Sequence, residues 1–151
     1  MRSQINIPFE HYDIPSEMSP ADSELIEQAR KATERSYAPF SGFKVGAAAR
    51  LKSGRIIVGA NCESEVYPSG LCAERVLLFS HQSGYADDAI EAIAIASAPA
   101  PRECYPCGAC RQTLIDVERR QDQPIRVIMA GEKSATAVES AELLLPFSFK
   151  L

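Results

Sequence analysis

The thiol pattern Cys72-Ala73-Glu74 followed by Cys107-Gly108-Ala109-Cys110 constrains this chain more than any other feature. The cysteines are Cys62, Cys72, Cys104, Cys107 and Cys110, an odd number with three of them crowded between positions 104 and 110. A disulfide framework favours even counts in a small secreted chain. In a reducing compartment, clustered thiols point instead to metal or redox chemistry. A purely redox C-x-x-C would leave Cys72 without a use.

The elements around those cysteines tell how they can meet. Residues 1–18 read as an N-terminal arm that packs on the body, and 19–151 as a single domain. In the arm, Ile5, Ile7 and Phe9 alternate, as in a short edge strand. Ser19-Pro20 has the chemistry of a helix start. Leu25, Ile26, Ala29 and Ala32 then recur on one face, predicting a helix to about Ser36. Phe43–Leu51 and Arg55–Ala60, joined across Lys52-Ser53-Gly54, read as a hairpin. A helix from Cys72 to Gly84, a buried strand over Ala89–Ser97 and a helix from Gly108 follow. Pro124–Ala130 and Ala135–Val138 are the last strands, and Ala141–Leu145 a last short helix. Strands alternating with helices predict an α/β layered sheet.

Both cysteine motifs open predicted helices, with one helix–strand crossover between them. In a parallel sheet two such helices begin at the same end of their strands, which brings their N-termini together. Helix N-termini favour thiolate over thiol, and thiolates suit zinc. Cys72, Cys107 and Cys110 as three ligands leave the fourth tetrahedral position open, as catalytic zinc requires. Three thiolates and Zn²⁺ sum to a negative charge; the helix dipoles and Arg75, donating to the ligand sulfurs, offset it. Glu74, two positions after the first ligand, is placed to carry protons to and from the reacting atoms. With Cys62 as fourth ligand, the same thiols would make a closed structural site, in which Glu74 has no role.

Charge and hydropathy narrow the partner. The formal net charge is -4, and 46% of residues are hydrophobic, enough for a real core. The basic clusters are short, such as Arg30-Lys31 and Arg119-Arg120, and do not form a phosphate track. A small-molecule substrate is expected, and neither a nucleic-acid polymer nor a membrane. No apolar run approaches the ~20 residues that span a bilayer. The start of the chain does not read as a secretory leader, so a cytoplasmic location is the default expectation.

The chain resembles the small zinc-dependent cytidine deaminases. The resemblance runs through Tyr37-Ala38-Pro39-Phe40-Ser41-Gly42-Phe43-Lys44-Val45-Gly46-Ala47-Ala48, Asn61-x-Glu63 and Gly70-Leu71-Cys72-Ala73-Glu74-Arg75. It continues with Pro106-Cys107-Gly108-Ala109-Cys110-Arg111-Gln112 and ends with Leu144-Leu145-Pro146 and Phe149. It implies a three-layer α/β/α sandwich with a five-stranded mixed sheet, one zinc ion per subunit and a homotetramer with shared sites. It implies hydrolytic attack at C4 of cytidine or 2′-deoxycytidine, with Glu74 protonating N3 and then the departing amine. Asn61 and Glu63 would bind the ribose 3′-hydroxyl, Phe43 would flank the base, and the Ala73 backbone would bind the base edge. Tyr67 and Phe149 would reach into a neighbouring subunit's site. Phe43, Tyr67 and Phe149 are as readily ordinary packing aromatics.

The chain departs from the family pattern beside the sugar. Ser64 and Glu65 stand where Asn-Ala is usual, Val66 replaces a small residue, and Val76 replaces a Thr. None touches the metal chemistry. A modified cytosine nucleoside with a donor or cation near Glu65 is one alternative substrate, and a non-catalytic zinc-binding relative is an alternative of another class. Cys62 and Cys104 are expected to be inert thiols, and His81 a satisfied histidine near a helix C-terminus.

Overall fold

Helix α1 (Pro20–Ala32) begins at the predicted cap, where Ser19 Oγ accepts from Asp22 N at 3.2 Å. The helix tightens into a 3₁₀ turn over Thr33–Arg35 and the chain becomes extended at Ser36. The structure is a computed structural model that describes residues 1–151, Pro15 excepted. The remaining elements are β1 (Glu10–Tyr12), β2 (Lys44–Leu51), β3 (Ile56–Ala60), α2 (Ala73–Gly84), β4 (Ile90–Ala98), α3 (Gly108–Gln121), β5 (Arg126–Ala130) and β6 (Ala135–Val138). The short helix expected after β6 is a 3₁₀ turn over Ala141–Leu144.

The sheet is mixed, in the order β1-β6-β5-β4-β2-β3. It has six strands, not the five expected. The sixth is β1, antiparallel to β6 with His11 opposite Thr136. The arm therefore does supply an edge strand, but later than the Ile5–Phe9 alternation indicated. Pro8 lacks the N–H that a ladder needs. Glu10, by contrast, reaches Arg126 at 3.0 Å, and Tyr12 packs on the core. Ile5, Ile7 and Phe9 stay exposed.

Helices cover both faces. Leu25, Ile26 and Ala29 of α1 share one core with Ala48, Ala92, Ala94 and Ile128. Leu77 and Leu78 of α2, with Leu114 and Ile115 of α3, share the other with Ile93, Ile95 and Val127. Each fully buried leucine or isoleucine contributes about 1.5–3 kcal/mol relative to exposure, so the helix starts rest on a stiff base. Buried His81 donates from Nε2 to Asp88 O at 2.8 Å, while its Nδ1 has no partner among the described residues. The expected satisfaction thus holds for one nitrogen. Among the described residues, no helix is long and apolar enough to cross a membrane.

One glycine sets where α2 lies. A Cβ on Gly59 would fall 2.8 Å from Ala73 O and 2.8 Å from Leu77 N, so the first turn of α2 rests directly on β3. Gly59→Ala is expected to cost about 1–3 kcal/mol by overpacking. Gly84→Ala is the control, because a Cβ there meets nothing within 4 Å. Thermal melts compare the two; equal midpoints would mean that α2 yields without strain.

Candidate active site

Strands β3, β4 and β5 run the same way: β2 is antiparallel to both β3 and β4, and β4 is parallel to β5. Helix α2 follows β3 and α3 follows β4, so both helices start at the carboxyl end of the sheet, where open α/β sheets bind ligands. Cys72 occupies the cap position of α2, and Cys107 that of α3. Neither thiol makes a capping hydrogen bond to its own helix. Cys110, in the first turn of α3, is fully buried.

The three sulfurs gather within 4.8 Å of one another, with Cys72 Sγ and Cys107 Sγ 3.9 Å apart. A tetrahedral zinc with Zn–S near 2.3 Å requires a sulfur separation of about 3.8 Å. Hydrogen bonding from Cys110 and from Arg75 pulls the Cys72 thiol down to about 5. The same bond to Cys72, with burial, pushes Cys110 up. Three sulfurs this close can all be ionised only with a cation among them, so the donor set fits a zinc ion. Among the described residues no fourth histidine, cysteine or carboxylate joins the group. Cys62 lies outside it, which leaves a fourth position open.

Glu74 is 3% exposed and its Oε2 has no hydrogen-bond partner among the described residues. Burial raises its carboxyl to about 7. Arg75 donates from Nη2 to Cys72 Sγ at 3.6 Å. Cys104 is buried nearby, and burial pushes its thiol up to about 11, as expected of an inert thiol. Cys62 is instead exposed.

One cavity adjoins this cluster through Cys72, and a second is lined by Cys104, whose thiol feels the charges of Glu74 and Cys72. One, of about 290 Å³, runs from Cys72 and Arg75 to Asn61, Glu63, Ser64 and Tyr67. The other, of about 410 Å³, is lined by Phe43, Ser97, Glu103, Cys104 and Tyr105. Glu63 Oε1 accepts from Phe40 N at 2.9 Å and Ser41 N at 3.1 Å. Bonds from Ser41 and then Phe40 hold its carboxyl below the usual carboxylate range. Asn61 Oδ1 accepts from Ser36 Oγ at 2.5 Å and Val45 N at 2.8 Å, while Nδ2 donates to Phe43 O at 2.9 Å. Ala73 is buried at the start of α2. Tyr67 stands 75% exposed at the rim, edge-on to Phe40 with ring centroids 5.7 Å apart. Phe149 lines neither cavity. Its carbonyl accepts from Gln112 and Arg119 of α3, and its ring is exposed.

Sequence reasoning gave no role to Ser36, which orients Asn61, or to Arg111. The latter donates to Pro106 O at 2.8 Å and Leu144 O at 2.9 Å and so ties the Cys107 loop to the C-terminal turn. The adjacency of Ser36 to the Tyr37 block is the one local signal for the first. For Arg111 it is the position directly after Cys110.

The family described as "Cytidine and deoxycytidylate deaminase zinc-binding region" matches residues 19–122. The chain belongs to this family. A cytidine deaminase of Halalkalibacterium halodurans is 43% identical over 94 residues, covering 62% of this chain and 69% of that protein. A probable cytidine deaminase of Dictyostelium discoideum is 36% identical over 125 residues, covering 82% of this chain and 80% of the relative. The crystal structure of a cytidine deaminase from Burkholderia pseudomallei superposes with a TM-score of 0.73 at 36% identity. That comparison covers 87% of this chain and 100% of the other. The family is zinc-binding, in accord with the three-sulfur cluster, and residues 1–18 lie before its matched region.

Proposed function

We propose that this protein hydrolytically deaminates cytidine and 2′-deoxycytidine, releasing the uracil nucleoside and ammonia. The observation that carries this is the open three-sulfur cluster with the buried Glu74 carboxyl beside it, whose Oε2 has no partner among the described residues. Zinc held by Cys72, Cys107 and Cys110 supplies a Lewis acid that acidifies water at neutral pH. Glu74 takes one proton of the attacking water and delivers it to N3 of the ring as the oxygen bonds to C4; it then takes the remaining hydroxyl proton at C4 and gives it to the amine, which leaves as ammonia when the C4–N bond breaks. A carboxyl raised to about 7 suits both tasks, because it gains and loses a proton near neutrality. The Arg75 guanidinium and the two helix N-termini offset the thiolate charge.

The backbone at Ala73 holds the base edge and Phe43 flanks the base. Asn61 and Glu63 take the ribose 3′-hydroxyl; one Asn61 amide hydrogen beyond those bonded to the fold is left for this. The exposure of Tyr67 and Phe149 supports their reaching a neighbouring subunit's site in a homotetramer. Residues 19–151 form the deaminase domain and residues 1–18 its arm, in a cytoplasmic enzyme. Glu65 is exposed and lines neither cavity, which favours an ordinary nucleoside over one modified to meet its charge.

The test compares cytidine, 2′-deoxycytidine and a base-modified analogue by loss of ultraviolet absorbance. The two natural nucleosides are expected to react on zinc-loaded protein. If none of the three reacts, the assignment fails; reaction of the analogue alone moves the specificity to a modified base.

A further inference from the structure

A buried carboxylate that the chemistry above does not use lines the Phe43 cavity. Glu103 is 6% exposed. Its Oε1 accepts from Ser134 Oγ at 2.7 Å, and its Oε2 accepts from the Tyr105 hydroxyl at 3.0 Å. His11 Nδ1, hydrogen-bonded with Thr136 Oγ1 at 2.9 Å, lies 3.6 Å from Glu103 Oε1. One side chain thus joins β1, the turn before β6 and the loop that ends at Cys107.

The backbone at Glu103 is held just as closely. A Cβ on Gly131 would fall 3.2 Å from Glu103 N and 3.3 Å from its Cγ, and Cys104 N donates to Ala130 O at 3.1 Å. Tyr105, two residues on, is 55% exposed. Its hydroxyl donates to the buried Glu103. Tyr105 and Phe43 line the same cavity, together with Cys104. Burying a carboxylate carries a desolvation cost that an apolar residue of similar size avoids. At this position the carboxylate does what an apolar residue cannot, accepting two hydroxyl donors from opposite sides.

We propose that Glu103 is a positioning residue for substrate binding: it fixes Tyr105 as a wall of the cavity that Phe43 lines, and His11 of the N-terminal strand braces it from behind. The proposal rests on the deaminase assignment above, and it gives the N-terminal strand, which precedes the family's matched region, a task at the site. An ordered aromatic wall contributes to binding because its rotamer entropy is lost before the substrate arrives. A contact made equally in the ground and transition states changes KM and not kcat.

The experiment measures kcat, KM for cytidine, zinc content and calorimetric binding of uridine for wild type, Glu103→Ala, Glu103→Gln, Tyr105→Phe and His11→Ala. Glu103→Ala and Tyr105→Phe are each expected to raise KM and the uridine Kd about tenfold, with kcat and zinc content kept. Glu103→Gln, which keeps an acceptor, should recover most of the loss, and His11→Ala should fall between it and wild type. The double variant Glu103→Ala/Tyr105→Phe should be no worse than either single one, since both remove the same bond. Tyr105→Phe loses one hydroxyl and no packing, so it remains informative if Glu103→Ala fails to fold. A lowered melting temperature with KM and uridine Kd unchanged would overturn the proposal. Loss of zinc in step with the KM change would also overturn it, assigning Glu103 to the Cys107 loop instead. If wild type binds uridine but does not turn over cytidine, the deaminase assignment fails on its own and the binding data still decide the role of Glu103.

Discussion

Replacing Glu74 by glutamine is expected to lower kcat by about 10²–10⁴-fold while the protein keeps its zinc and its fold. The amide has the shape of the carboxyl group but cannot shuttle a proton. Glu74 does not belong to the sulfur cluster, so its loss leaves the three ligands intact. Its Oε2 makes no hydrogen bond among the described residues, so the change breaks no hydrogen bond there. Steady-state rates and zinc stoichiometry on the same preparation check this. Unchanged turnover in the variant would remove Glu74 from the mechanism. Loss of zinc together with activity would make it a support of the metal rather than a proton carrier.

The second large effect is expected from Cys110→Ala. Cys110 is fully buried in the first turn of α3, and its removal leaves two sulfurs, one of them on an exposed residue. Two thiolates hold zinc far less tightly than three, so the variant should be isolated without metal and without measurable deamination. A metal that binds only the folded state stabilises it by mass action, about 2.7 kcal/mol at a hundredfold excess over Kd. Zinc should therefore raise the melting temperature of wild type and not that of Cys110→Ala, and a chelator should lower wild type towards the variant. X-ray absorption at the zinc edge of wild type should give three sulfurs and one light atom. Four sulfurs would mean a closed site and would count against catalysis. Retention of stoichiometric zinc by Cys110→Ala would require another ligand in its place.

Both predictions concern residues that the linear sequence singles out, and the reason is physical. Helix starts and turns are local: Ser19-Pro20 marks α1, and Cys72 and Cys107 stand at the caps of α2 and α3. The order of strands and helices was likewise legible, because buried strands and amphipathic helices have periods that can be read from their own residues. The N-terminal strand was misplaced for the opposite reason. The Ile5–Phe9 alternation has the right local period, but pairing depends on partners far away, and those were available at Glu10–Tyr12, beside β6 and Arg126.

The substrate side of the site divides in the same way. Asn61 and Glu63 are visible as a motif, yet nothing local says that Asn61 holds Ser36, Val45 and Phe43 in place as well. Glu103 gave no signal beyond being a charged residue in a loop; besides the nearby Tyr105, its partners come from β1 and from the turn before β6.

By itself, the sequence determined which thiols are set at helix starts, and that a carboxylate follows the first of them by two positions. That much depends only on neighbours along the chain. The tertiary structure alone decided that the three sulfurs meet within 4.8 Å and that Glu74 is buried there with its carboxyl raised to about 7. It also decided that Phe149 lies against α3 and lines neither the Asn61–Cys72 cavity nor the Phe43 cavity. Separations and burial arise from the parallel register of β4 and β5 and from the approach of α2 over Gly59. No short stretch of residues encodes them.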